Sequence, residues 1–181
     1  MATVRVLLGI ICLIVIGRST YATGHLLKGE AAKRAEIIAW AKAEIGVRES
    51  SGNNDGARVE EYLGLVNLPK GYAWCAAFVS WVFAQAGYAS PRSAWSPALF
   101  PPQVRSQQIL PANIFGIYFK ALKRIAHVGI VVKREGDWIL GIEGNTQING
   151  SRDGDGVYQR RRHRKTIYLY ADWLNEERLK P

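Results

Sequence analysis

Cys75 and His127 are the two side chains in this sequence best suited to covalent chemistry. Cys75 lies near the start of an apolar run, AWCAAFVSWVFAQA at 73–86, that reads as a helix closed by Gly87. In the first turn of that helix the thiol meets unpaired backbone N–H groups and the positive end of the dipole. Both lower a cysteine pKa. His127 interrupts an otherwise apolar strand, AHVGIVV at 126–132. On it His127, Gly129 and Val131 share one face and Val128, Ile130 and Val132 the other. Gly129 leaves open space beside the imidazole for something to approach. Trp138 to Glu143 reads as the return strand of a hairpin across Arg134 to Asp137, which brings Glu143 roughly opposite His127. A carboxylate there could hold the imidazole tautomer and support its charged form. Asn145, two residues on, is a second candidate for that task. A thiolate, a base and an orienter are the parts of cysteine acyl transfer. The N–H groups at the helix start are candidates to face the developing oxyanion, with the Tyr72 hydroxyl as a further donor. Each residue also has a plainer reading. Cys75 could be ordinary core, His127 a satisfied core histidine, and Glu143 a hairpin-end charge in water.

Several elements must position these residues. Glu30 to Ile45 reads as a helix whose apolar face holds Ala31, Ile38, Ala41 and Ile45, with Trp40 near it and Gly46 as the stop. A polar loop, VRESSGNNDG, follows. Arg58 to Leu65 reads as a short amphipathic helix that turns Val59, Tyr62, Leu63 and Val66 inward. Ser90 to Ile114 holds five prolines and reads as loop or irregular helix rimming a site. Strands are expected at Ile114–Phe119, Gly154–Arg162 and Thr166–Tyr170 besides the hairpin, and a short tail helix at Asp172–Leu179. Helices followed by an antiparallel sheet make an α+β fold.

The chain has 181 residues, 48% of them hydrophobic and 22% charged, which suits one domain with a real core and excludes global disorder. Two cysteines do not build a disulfide scaffold, and with three histidines they exclude a pure Cys₄ zinc site. Asn149, Asp153 and Asp155 in a Gly-rich turn could hold Ca²⁺, although such residues more often cap their own turn. No cofactor or metal is expected. The first 24 residues read as a signal peptide or an N-terminal membrane anchor. Arg5 precedes the apolar run 6–16, and small residues including Ala22 and Gly24 follow it. At about eleven residues the run is short for a span. Cleavage there would remove Arg5, Arg18 and Cys12, leaving about +7 of the formal +9 charge and Cys75 as the sole thiol. Residues 25–181 form the expected domain. The basic run Arg160-Arg161-Arg162-His163-Arg164-Lys165 favours anionic partners or is a solvated strand end. It lacks a nucleic-acid reading module, so no nucleic acid is expected. Trp95 and Trp74 are candidates to line a substrate groove, Trp74 equally a candidate for core.

The stretches GVRESSGNNDGARVEEYLGL and GYAWCAAFVSWVFAQAG resemble the front half of the CHAP family of cysteine amidohydrolases and peptidases, within the papain-like NlpC/P60 superfamily. FGIYFK, RIAHVGIVV and IEGNTQINGSRDGDGVYQRRR resemble its back half. The resemblance covers roughly Ala31 to Tyr170. It implies a papain-like fold, with N-terminal helices on a central antiparallel sheet, in which the cysteine of the Trp-Cys pair is the nucleophile (Cys75) and the strand histidine the base (His127). The carboxylate and amide after the return strand, Glu143 and Asn145, match its third and fourth site positions. Relatives often carry Gly-Asp where this chain has Ala112-Asn113. The activity implied is cleavage of a peptidoglycan amide, as a muramoyl-alanine amidase or a stem or cross-bridge endopeptidase. Peptidoglycan is then the expected partner, with anionic envelope polymers or lipids beside it and residues 6–16 as the segment for an inner membrane. The expected location is the periplasm, cell wall or exterior, with a membrane-anchored or virion-borne form as the alternative. Two rival functions share the fold: an inactive wall-binding or virion structural module, and an amidase on a non-wall substrate.

Overall fold

Cys75 to Phe83 are buried without interruption, because the helix they open has neighbours all round. The computed structural model describes residues 29–147 and 154–174. Helix α1 spans 29–43, α2 Ala57–Gly64 and α3 Cys75–Gln85. Arg34 opens the compact unit that carries the rest of the described chain. Six strands follow: β1 (Arg105–Ser106), β2 (Ile114–Phe119), β3 (Arg124–Glu135), β4 (Trp138–Thr146), β5 (Gly156–His163) and β6 (Leu169–Ala171). They form one sheet in the order β1-β6-β2-β3-β4-β5, with every neighbouring pair antiparallel. The architecture is α+β, helices first and a central antiparallel sheet after them. Helix α3 packs on β3 and β4, and α2 packs on α3.

The two faces foreseen for β3 go to different clusters. Val128 and Ile130 join the large core with Phe78, Val82, Ile142 and the ring of Tyr62. Val131 joins Phe115 and Ile139 in a smaller one. Tyr62 stands at the centre of the helical layer, its ring 5.2 to 5.6 Å from those of Trp74, Phe78 and Trp81.

The buried stripe of α1 differs from the expected one. Arg34, Ile37 and Ala41 are buried, with Glu44 just past the helix, whereas Ala31, Trp40 and Ile45 are exposed. An apolar count fails here because both buried charges have partners. Arg34 donates to Asp172 Oδ2 at 2.7 Å, to the Pro111 carbonyl at 2.8 Å and to Asn113 Oδ1 at 3.1 Å. Glu44 accepts from the Tyr62 hydroxyl at 2.5 Å and pairs with Arg58 at 3.0 Å. Ala112-Asn113, the departure from the resembled family, is therefore a tie between α1 and the sheet. Asn113 is fully buried, and Ala112 takes the left-handed φ of 65° that a glycine would hold without strain.

Other boundaries shift. Strand β3 starts earlier and ends later than 126–132. Strand β6 begins at Leu169, because a 3-10 turn at Arg164–Thr166 occupies the start of the expected strand. The two-residue β1, paired with β6, has no sequence signal. Residues 172–174 are not helical, and the rest of the expected tail helix, like residues 1–24, Asn149 and Asp153, lies outside the described residues. No described helix is long and apolar enough to cross a membrane.

Candidate active site

Helix α3 begins at Cys75, with Trp74 as its N-cap, so the thiol occupies the first helical position. Two glycines and one bulge bring the other groups to it. At Gly144 on β4 a Cβ would lie 2.7 Å from the Trp74 ring and 2.8 Å from Phe78, so only a glycine lets β4 approach the start of α3 this closely. The β3–β4 hairpin starts with Glu135 opposite Trp138, a register that would set Glu143 against Ile130 on the wrong face. A shift between Val131 and Lys133 moves the pairing to Ile130 opposite Ile142. Glu143 then stands against Gly129, on the His127 face. At Gly129 a Cβ would lie 2.7 Å from Glu143 Cγ and 2.5 Å from the Phe115 ring. The space foreseen beside His127 is thus filled from within. It is the channel through which Glu143 reaches the imidazole.

His127 Nε2 and Glu143 Oε2 are 2.7 Å apart, with Glu143 fully buried and His127 9% exposed. The other ring nitrogen is left for the Cys75 side, and the imidazole and the thiol each shift the other's ionisation. Ser96 Oγ lies 3.5 Å from the sulfur. Behind Glu143 stands Arg162, whose Nε donates to Oε1 at 2.8 Å and whose guanidinium donates to Oε2 at 2.6 Å. This two-point fork fixes the carboxylate plane. The order is therefore sulfur, imidazole, carboxylate, guanidinium.

The charges follow from these contacts. Burial pushes the Cys75 thiol up, but the His127 imidazole outweighs it, with help from the Ser96 hydroxyl and the Val128 backbone, and holds the thiol below its ordinary value. Burial also works against a charged imidazole. The bonds to Cys75 and Glu143 nevertheless raise His127 to about 9. Burial would raise Glu143, yet the Arg162 fork and then His127 hold it down at about 2. Both shifts run in the direction that favours a thiolate beside an imidazolium.

Cys75 is only 5% exposed, yet it is not sealed. It lines a cavity of about 300 Å³ together with Tyr72, Trp95, Ser96 and Arg124. Trp95 and Tyr72 are each half-exposed at its mouth, whereas Trp74 is core, its indole N–H donating to Glu49 at 2.8 Å.

The four expected residues come together in two ways. Cys75, His127 and Glu143 form one line. Asn145 does not touch the imidazole. With its amide oxygen toward Trp74 it accepts from the Trp74 backbone N–H at 2.9 Å, and its nitrogen donates to the Gly154 carbonyl at 3.1 Å. It holds the residue before Cys75, from a left-handed φ of 50°. Between the two candidates for orienting His127, the contact belongs to Glu143.

Arg162 and Ser96 were missed as site residues. Arg162 sat inside a basic run that read as a steering patch or a solvated strand end. Its pairing with Ile139 puts it on the Glu143 face, a parity readable only once the β4–β5 register is known. The run is largely spent internally. Arg161 lies over Trp138, and Arg164 pairs with Asp137 at 2.7 Å. Ser96 opens a 3-10 turn before Pro97, where a serine signals only a turn. Asp155 accepts from the Tyr158 hydroxyl at 2.7 Å, and no cluster of three metal-ligating side chains occurs among the described residues.

No family model matches the chain, and a search of curated proteins finds no match.

Proposed function

We propose that this protein is a cysteine hydrolase that cuts an amide of peptidoglycan, on a papain-like fold of the NlpC/P60 type and with the parts of a CHAP-family site. The observation that carries the reading is the thiol at the head of α3, held below its ordinary pKa by an imidazole that a buried carboxylate backs at 2.7 Å, with the sulfur facing a cavity. The Cys75 thiolate attacks the amide carbonyl. The oxyanion that forms faces the N–H groups at the start of α3. Imidazolium His127 gives its proton to the leaving amine as the C–N bond breaks, leaving a thioester on Cys75. His127, now neutral, takes a proton from water, whose oxygen attacks the thioester and frees the acid. Glu143 keeps its charge throughout and holds the ring. Asn145 and Arg162 are positioning residues, one for Trp74 and α3, the other for Glu143.

The wall as substrate rests on the resemblance and on the +9 formal charge, which suits an anionic envelope. Action outside the cytoplasm, free or anchored through residues 6–16, belongs to the same proposal. The test is digestion of purified sacculi by wild type and Cys75→Ala. Soluble fragments from the wild type alone, with new amino termini read by mass spectrometry, name the bond. Equal release by both proteins would refute the reading.

A further inference from the structure

Among the residues that line the Cys75 cavity, Arg124 is the one charged side chain. It opens β3, immediately after Lys123, which holds a left-handed φ of 52°. Its guanidinium carbon lies 4.2 Å from the centroid of the Trp95 ring, a cation–π contact that limits where the head can point. One guanidinium nitrogen donates to the Ile125 carbonyl at 3.0 Å. Among the described residues no carboxylate lies within ion-pair distance of it. Arg162, by contrast, spends its fork on Glu143. A guanidinium that is held in place, faces a cavity and lacks an acid is complementary to a planar anion.

We propose that Arg124, braced on Trp95, is a subsite for a free carboxylate, so that the preferred substrate is an amide flanked by apolar groups and by a carboxylate close to the scissile carbonyl. The inference rests on Cys75 as the nucleophile of that cavity and adds the substrate class. A cavity of about 300 Å³ is at the small end of ligand sites. The carboxylate held at Arg124 therefore belongs to the residue carrying the attacked carbonyl or to its neighbour. Tyr72 and Trp95 supply the apolar walls. A carboxamide in place of the acid would leave the guanidinium without its charge partner, which makes Arg124 a specificity-determining residue between the acid and amidated forms of one peptide.

The test uses a matched pair of thiol reagents, 3-maleimidopropionate and N-ethylmaleimide, with addition to the Cys75-containing peptide followed by mass spectrometry. Relative to 2-mercaptoethanol, the wild type is expected to favour the acid reagent by roughly tenfold. Arg124→Gln should lose that preference while its N-ethylmaleimide rate stays within about twofold of wild type, and Arg124→Lys should keep only part. A preference that survives in Arg124→Gln, or is absent from the wild type, overturns the inference. If Arg124→Gln does not fold, a measurement on the wild type decides. N-acetylglycinate should protect Cys75 from N-ethylmaleimide and N-acetylglycinamide should not; equal protection, or none, overturns it. Neither experiment contains cell wall. Acid preference with intact sacculi would refute the hydrolase reading alone, and cut sacculi without acid preference would refute this inference alone.

Discussion

Arg34–Asp172 and His127–Glu143 are both buried pairs of opposite charge with contacts of 2.7 Å, yet their surroundings differ. Arg34 also donates to the Pro111 carbonyl and Asn113, so its partners are backbone and side chains that tie α1 to the sheet. His127 and Glu143 stand between a guanidinium on one side and a thiol on the other, and the thiol opens on a cavity. Burying a charge is costly in either place and is tolerated because partners are supplied. Buried charge is therefore no sign of a site. What separates the second group is that a proton has two places to be, sulfur or imidazole, and that a small molecule can reach the sulfur.

The comparison can be broken from either end. The largest effect belongs to Cys75→Ala, which should lower amide turnover by about 10⁴-fold or more while leaving the urea midpoint nearly unmoved. Arg34→Met should do the reverse. It strands Asp172 in the interior and should cost about 3–5 kcal/mol by urea titration, with the Cys75 alkylation rate of the folded fraction unchanged. A loss of thiol reactivity in Arg34→Met would erase the distinction drawn between the two groups.

The pH profile sharpens it. Below the lowered pKa of Cys75 the thiolate takes up a proton, so both alkylation and hydrolysis fall on the acid side. Above about pH 9 His127 loses the proton that the leaving amine needs, so hydrolysis falls again while alkylation does not. Glu143→Gln removes the charge that supports the imidazolium. The basic limb of hydrolysis should then move from about 9 toward neutrality, with turnover reduced by roughly tenfold to a hundredfold. The smallest effect is expected from Ser96→Ala, which removes one hydrogen bond to sulfur and should cost about 1 kcal/mol of transition-state stabilisation, read as a several-fold drop in kcat/KM.

The same contrast explains what the sequence made legible. Apolar periodicity placed α2, α3 and the β3–β4 hairpin, and a cysteine at the head of an apolar helix was visible as an anomaly. The hairpin pattern brought Glu143 roughly opposite His127, but the two share a face only because a bulge corrects the hairpin register, which no pattern of residue types announced. Charge was where the pattern misled. Arg34 and Glu44 are buried in the stripe of α1, so counting only apolar residues rotated that helix toward Ile45 and Trp40, which are exposed. Arg162 was hidden in a basic run for the same reason, since a charge looks solvated until its partner across the sheet is known. Ser96 and Asn145 act through contacts to Cys75 and Trp74 set by tertiary placement, and their types are common in turns.

The central claim is that His127 keeps Cys75 ionised near neutrality, and the alkylation rate of the Cys75-containing peptide against pH tests it most directly. With iodoacetamide at pH 6, wild type should react at least roughly a hundredfold faster than His127→Ala, whose thiol reverts to an ordinary pKa of about 8.5 or higher. Equal rates in the two proteins, both rising only as pH approaches that ordinary value, would contradict it.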